Sequence, residues 1–239
     1  MPHSRKPRSV LSIEEMLGTT LSQVNEVEPY HLSAFMAQKE KIQALWLNDM
    51  GLTELPVILS QFKDLMHLFL WNNALNALPG WFSSLGRLST LVLAGNSFSQ
   101  VPSTISKLRN LEVLSLAGNR LSHIGEELAQ LNSLRVLALY NNTLTNLPSL
   151  EHFTQLEVLS VGDNALTTLP SEVGNLQSLQ ELWLFNNRLE SLPPELGKLP
   201  KLDKLYIGGN SSLLNPSNHV VHDLLELLRS RGVYVSLGE

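Results

Sequence analysis

From residue 42 onward the apolar positions return in a phrase of fixed shape: Leu-x-x-Leu-x-Leu-x-x-Asn-x-Leu, then Leu-Pro a few residues later. Copies begin at Leu65, Leu88, Leu111, Leu134, Leu156, Leu179 and Leu202. A worn first copy begins at Ile42, with Met50 where the others carry Asn. The starts lie 23 residues apart, except for one step of 22 between Leu134 and Leu156. A unit this short cannot bury its own apolar face, so neighbouring units must stack. In the copy at Leu111, Leu114 and Leu116 alternate with Ser115, which is the period of a strand. Leu111, Leu114, Leu116 and Leu121 then share an interior, Ser115 and Ala117 face outward, and Gly118-Asn119 turns the chain away. After Leu169, the spacing of Val173 and Leu176 predicts a helical or 3₁₀ return turn on the far side of that interior. Eight such strands, about 4.8 Å apart, stack into a parallel sheet. The thinner strand side bends it into an arc with the sheet concave.

Both ends of the array change pattern. Residues 11 to 41 lose the repeat and read as helix, with Ser12 and Glu15 in a capping box and a second helical stretch from His31 to Lys41. At the other end Val220, Val221, Leu224, Leu225, Leu227 and Leu228 form a helical stripe, and Gly232 is its expected stop. Val233, Val235 and Leu237 then alternate as a final edge strand. The expected organisation is an N-terminal tail and helical cap over 1–41, the array over 42–216 and a C-terminal cap over 217–239. Capping is what a stack with raw apolar ends requires.

Composition narrows the function. No run reaches the 18 or more apolar residues of a membrane span. Arg5, Lys6 and Arg8 precede no apolar stretch, so no secretory signal is read. The chain has no cysteine, which favours a reducing compartment, and a cytoplasmic location is expected. The net charge of -5 argues against nucleic acid, whose binders present a basic face. No phosphate loop, thiol nucleophile or Ser-His-Asp set can be assembled. His219, His222 and Asp223 are too few for a metal site. No enzyme activity, metal or cofactor is expected.

Candidate chemistry lies on the concave face. The residues flanking the third Leu of each copy include Trp46, Phe69, Trp71, Tyr140, Trp183, Phe185 and Tyr206, seven of the chain's fifteen aromatics. Trp46, Phe69 and Trp71 cluster in the first third and Trp183, Phe185 and Tyr206 near the end. Between them lies a floor of small residues, Val92, Ala94, Ser115, Ala117, Ala138, Ser160 and Gly162, broken by Tyr140. Large rings on an exposed face suit interface anchors. The same face carries Asp49, Glu112, Glu157, Asp163, Glu181 and Asp203 against Arg135 and Lys204. With Glu157 and Glu181 at its centre, that surface is expected to steer a basic, partly apolar partner.

The repeated phrase resembles the 23-residue class of leucine-rich repeats with an LPxxhxxLxxL return segment. The resemblance implies an α/β solenoid, a curved horseshoe of about eight repeats with its parallel sheet on the concave face. It also implies an inward Asn ladder, Asn73, Asn96, Asn119, Asn142, Asn164, Asn187 and Asn210, whose amides bond the backbone of their own and the adjacent turn. Members occur in bacterial cytosolic proteins and in intracellular Ras-pathway scaffolds, and mostly bind proteins through the concave face. The implied function is a non-catalytic, signalling-type protein-recognition scaffold. A secreted bacterial effector acting on a signalling enzyme is the alternative; a small-ligand or carbohydrate receptor fits an open shallow face less well. Three positions depart from the pattern: Met50 in the first turn, Gly125 in place of Pro in the fourth repeat, and Ser212 where the last repeat wants Leu.

Overall fold

The computed structural model describes residues 40 and 42–238. The expected helical cap over 1–41 and the basic cluster Arg5, Lys6 and Arg8 fall outside the described residues, residue 40 excepted. Nine short strands form one open parallel sheet: β1 Ala44–Trp46, β2 His67–Phe69, β3 Thr90–Val92, β4 Val113–Ser115, β5 Val136–Ala138, β6 Val158–Ser160, β7 Glu181–Trp183, β8 Lys204–Tyr206 and β9 Tyr234–Ser236. They are ordered in space as in the chain. The array is therefore a solenoid in plan, each strand pairing only with its sequence neighbours. The register matches like with like, so Leu45, Leu68, Leu91, Leu114, Leu137, Leu159, Leu182 and Leu205 line up across eight strands. All eight are buried and form the inner wall of one continuous core.

The opposite wall is built by the return segments. Five of them enter through an extended proline (Pro56, Pro79, Pro102, Pro170 and Pro193) and then make one 3₁₀ turn. The proline carbonyl accepts the first turn's bond, as in Leu59 N–H to Pro56 at 3.0 Å and Val173 N–H to Pro170 at 3.1 Å. Each turn sends one apolar side chain inward: Leu59, Phe82, Ile105, Val173 or Leu196. Where Gly125 replaces proline the turn shortens to Glu126–Leu128, although Leu128 still fills the core. In the 22-residue step no 3₁₀ turn forms between β5 and β6. A tight turn there suffices because Leu150 and Phe153, both buried, supply the volume.

The other departures are absorbed locally. Met50 is exposed, and its N–H donates to Asn73 Oδ1 (3.1 Å), so the following repeat satisfies a turn that lacks its own Asn. Ser212 is exposed while Leu213, one residue on, is fully buried. The last repeat therefore shifts its apolar residue by one position instead of leaving a hole.

At the C-terminus helix α1, His219–Ser230, buries Val221, Leu224, Leu225 and Leu228. The stripe expected from the sequence is narrower than proposed. Val220 and Leu227 are largely exposed, because burial on one side of a helix covers only part of its circumference. Gly232, at φ +88°, takes the left-handed conformation that ends the helix. Val233 is buried, and β9 then pairs with β8. Arg231 ties this cap to the array, its guanidinium donating to the carbonyls of Gly197 and Leu199. No helix among the described residues is long and apolar enough to cross a membrane.

Candidate functional site: the concave face of the sheet

Strand alternation puts three columns of side chains on the face opposite the leucine core. Two columns flank the third Leu of each repeat. The third is the residue before the middle Leu: His67, Thr90, Val113, Val136, Val158, Glu181 and Lys204, and Tyr234 in β9. Of this column the sequence reading expects only Glu181 and Lys204 on the face; the positions beside the third Leu leave out the rest, although the same period of two points to them. The column changes the picture of the face.

In the C-terminal half, Val136, Val158 and Trp183 form a second, smaller buried cluster, with Val113, Phe185 and Tyr206 packed against it. Trp183 and Tyr206 stack in parallel with centroids 3.4 Å apart, and Phe185 meets Trp183 edge-on at 6.4 Å. Tyr234 continues the row beyond Tyr206 at 5.8 Å. Trp183 is 5% exposed, and its indole N–H donates to Glu181 (3.2 Å). The expectation that Trp183 stands bare to solvent is therefore corrected: its neighbours cover it and it covers the sheet. Phe69 is likewise buried. The small-residue floor is not open either. Ser115, Ala117, Ala138 and Ser160 are buried, and the Phe185 ring lies over Gly162 so closely that a Cβ there would meet it at 2.6 Å. The backbone at Leu237 and Gly238 closes over Gly208 in the same way.

The N-terminal half is different. Trp46 stacks on Phe69 with centroids 5.5 Å apart and an interplanar angle of 6°. Trp71, two residues past β2, remains 42% exposed. Tyr140 is half-buried in the middle of the array. His67 sits beside this group with Nδ1 3.0 Å from Thr90 Oγ1. Burial lowers its pKa, and the nearby Glu112 carboxylate opposes that shift.

The acidic character also redistributes. Arg135 holds Glu157 through Nε (3.1 Å) and Nη2 (2.7 Å), and that bond raises its own pKa. Lys204 bonds Glu181 at 2.8 Å, which raises the lysine pKa. Burial pushes the Tyr206 hydroxyl up. Glu157 and Glu181, expected to lead the steering of a basic partner, thus have their charge offset by cations on the same face. Asp163 accepts from Asn186 (2.8 Å) and Asp49 from Asn72, neutral partners that leave both charges intact. Glu112 makes one long ion-pair contact, to Arg135 Nη1 at 4.0 Å, and its side chain is 51% exposed.

Beneath the face runs the Asn ladder. Asn119 is representative. Its Oδ1 accepts from the Phe98 N–H (3.0 Å), and its Nδ2 donates to the carbonyls of Leu93 and Leu116, both 3.0 Å away. Asn96, Asn187 and Asn210 repeat the geometry and are buried, Asn210 completely. Asn73, Asn142 and Asn164 repeat it part-buried. Each amide links its own turn to the preceding one, so these residues serve the backbone.

No group of three or more metal-binding side chains occurs among the described residues. His222 Nε2 lies 3.2 Å from the Asn215 carbonyl and is in hydrogen-bond reach of it.

A single-layer parallel sheet with 3₁₀ returns and an inward Asn ladder defines a class of repeat protein, and the comparisons agree. The leucine-rich repeat region profile matches residues 10–146, and a two-copy leucine-rich repeat profile matches 177–219. The chain belongs to the leucine-rich-repeat family. Among solved structures it is similar to a leucine-rich-repeat protein of Leptospira interrogans (30% identity, TM-score 0.66), over 76% of this chain and 52% of that one. It is also similar to internalin C2 of Listeria monocytogenes (28% identity, TM-score 0.66), over 76% and 80% of the two chains. A third is the ectodomain of a plant membrane receptor kinase from Arabidopsis thaliana, solved in complex with CASPARIAN STRIP INTEGRITY FACTOR 2 (35% identity, TM-score 0.59). That match covers 65% of this chain and 20% of the receptor. The chain thus spans about half the length of the Leptospira protein. No curated protein matches the sequence.

Proposed function

We propose that this chain is a non-catalytic recognition scaffold that binds a partner protein on its concave face, with the N-terminal half as the principal anchor. One observation carries this reading: Trp71 stays 42% exposed next to the stacked Trp46–Phe69 pair. Nothing in the core requires a ring there, whereas exposed tryptophans beside packed aromatics suit interface hot spots. The concave position of the Trp183–Tyr206–Phe185 group makes it a second contact, through the exposed parts of Phe185, Tyr206 and Tyr234 more than through Trp183. The partner is a basic, partly apolar protein surface, drawn by the carboxylates of Asp49, Glu112, Asp163 and Asp203. The similar plant ectodomain, solved with a protein ligand, supports a binding role for this architecture. A cytoplasmic, signalling role is the setting we propose, supported by the absence of cysteine.

The test is capture of a partner from source lysate by the wild-type chain and by two variants. Trp71→Ala should lose the partner while keeping the wild-type melting temperature. Gln177→Ala, on the convex side, should capture it unchanged. Equal capture by Trp71→Ala and wild type would refute the concave anchor.

A further inference from the structure

A cleft at the rim of the concave face, beside β2 to β4, is lined by Met66, Arg87, Ser89, Asn110, Glu112 and Ser133. It lies where each strand begins, and the sequence reading assigns no cleft there. Its polar groups are mostly acceptors. The Asn110 amide gives one of its two N–H groups to the Gly86 carbonyl (2.7 Å), and its side-chain oxygen is available to accept. The Ser89 hydroxyl donates to the Met66 carbonyl (3.2 Å), which leaves its lone pairs. The one cation of the lining, Arg87, is already bonded to Asp64 at 2.6 Å. Glu112 is the remaining charge. Its nearest cation, Arg135, directs Nε and Nη2 to Glu157 instead and reaches Glu112 only at 4.0 Å. Met66, 37% exposed, supplies an apolar wall.

We propose that this cleft is a subsite for an arginine or lysine side chain of the protein partner. The aliphatic stem lies along Met66 and the cationic head donates to Glu112, Asn110 and Ser89. A long cationic side chain has this division, an apolar stem and a charged donor head. The apolar residues flanking it in the partner then fall towards Trp71, on the same turn as Met66, and Trp46, on the turn before. This proposal rests on the concave-face reading above and adds to it the chemistry of one contact.

The experiment uses the full chain, isotope-labelled, and a blocked pentapeptide, acetyl-Leu-Leu-Arg-Leu-Leu-amide, followed by amide chemical shifts. Addition should move the signals of Met66, Ser89, Asn110, Glu112 and Ser133 together. Replacing the peptide's arginine by neutral, near-isosteric citrulline, or Glu112 by Gln, should each weaken binding about tenfold, the loss of one charge-assisted hydrogen bond. A control variant, Glu190→Gln, on an exposed residue away from the face, should bind as the wild type does. Equal binding by Glu112→Gln, or equal binding of a glutamate peptide held by Arg87, would overturn the subsite. Shifts confined to Trp46, Phe69 and Trp71 would overturn it while leaving the concave anchor standing. Shifts on the convex side alone would sink both.

Discussion

At the scale of single residues, identical chemical groups carry different loads according to what surrounds them. Trp71 and Trp183 both sit at outward strand positions, yet only Trp183 is covered. Trp183→Ala should lower stability by about 3 kcal/mol, as truncating a buried aromatic does, and denaturant melts would show it. Trp71→Ala should leave the same melts nearly unmoved. The Asn ladder divides by burial too. Asn210 stands in the last full repeat, where the sequence invites the idea of a frayed end, but it is completely buried and bonds the Leu184 and Ile207 carbonyls at 3.0 and 2.8 Å. Asn210→Ala should therefore cost at least as much as Asn119→Ala, each about 1–3 kcal/mol for stranded backbone groups. Chemical denaturation of the two variants decides the order. His67 adds a pH dependence with a definite sign. Its pKa is lowered in the folded chain, so below the ordinary histidine value the unfolded state binds the proton more readily. That contribution to stability is complete above pH ~6.5 and is lost as pH falls towards the folded value. In His67→Gln the melting temperature should depend less on pH across that window.

At the scale of elements, the repeat phrase was readable because strand, turn and return segment each impose their own spacing. The period of two, the Asn at the turn and the proline-led 3₁₀ turn are local rules, and a sequence shows local rules directly. What could not be read was how neighbouring side chains cover one another. Trp183 is buried by Tyr206, 23 residues away, and Glu157 has its charge offset by Arg135, 22 residues earlier. Such contacts depend on which rings and charges fall side by side across strands. The departures show the same limit: Ser212 marks a fault in the last repeat, but only the packing reveals that Leu213 repairs it. The C-terminal cap makes a further prediction. Removing residues 218–239 would take away α1 and β9, unpair the outer edge of β8 and uncover the apolar surface of the last repeat. The truncated chain should self-associate, as uncapped repeat arrays and free strand edges do, and light scattering would report it. A monomeric, soluble truncation would mean that the last repeat covers its own end.

At the scale of the whole molecule, the solenoid separates duties by side. The leucine wall and Asn ladder hold each turn to the next, and the convex returns close the core. The concave sheet is left to carry side chains the core does not need. In its C-terminal half those side chains have packed into a second small cluster. In its N-terminal half they leave Trp71, Met66 and Glu112 open. The recognition surface we propose is therefore centred on β1 to β4, nearer one end of the arc than its middle. Hydrogen exchange on the complex with a captured partner measures this most directly. Protection should rise at the backbone of residues 43–49, 66–72 and 89–95 while the return turns Val57–Gln61 and Gly80–Ser84 exchange as in the free chain. Protection of those return turns with the strand residues unchanged would contradict a concave docking surface.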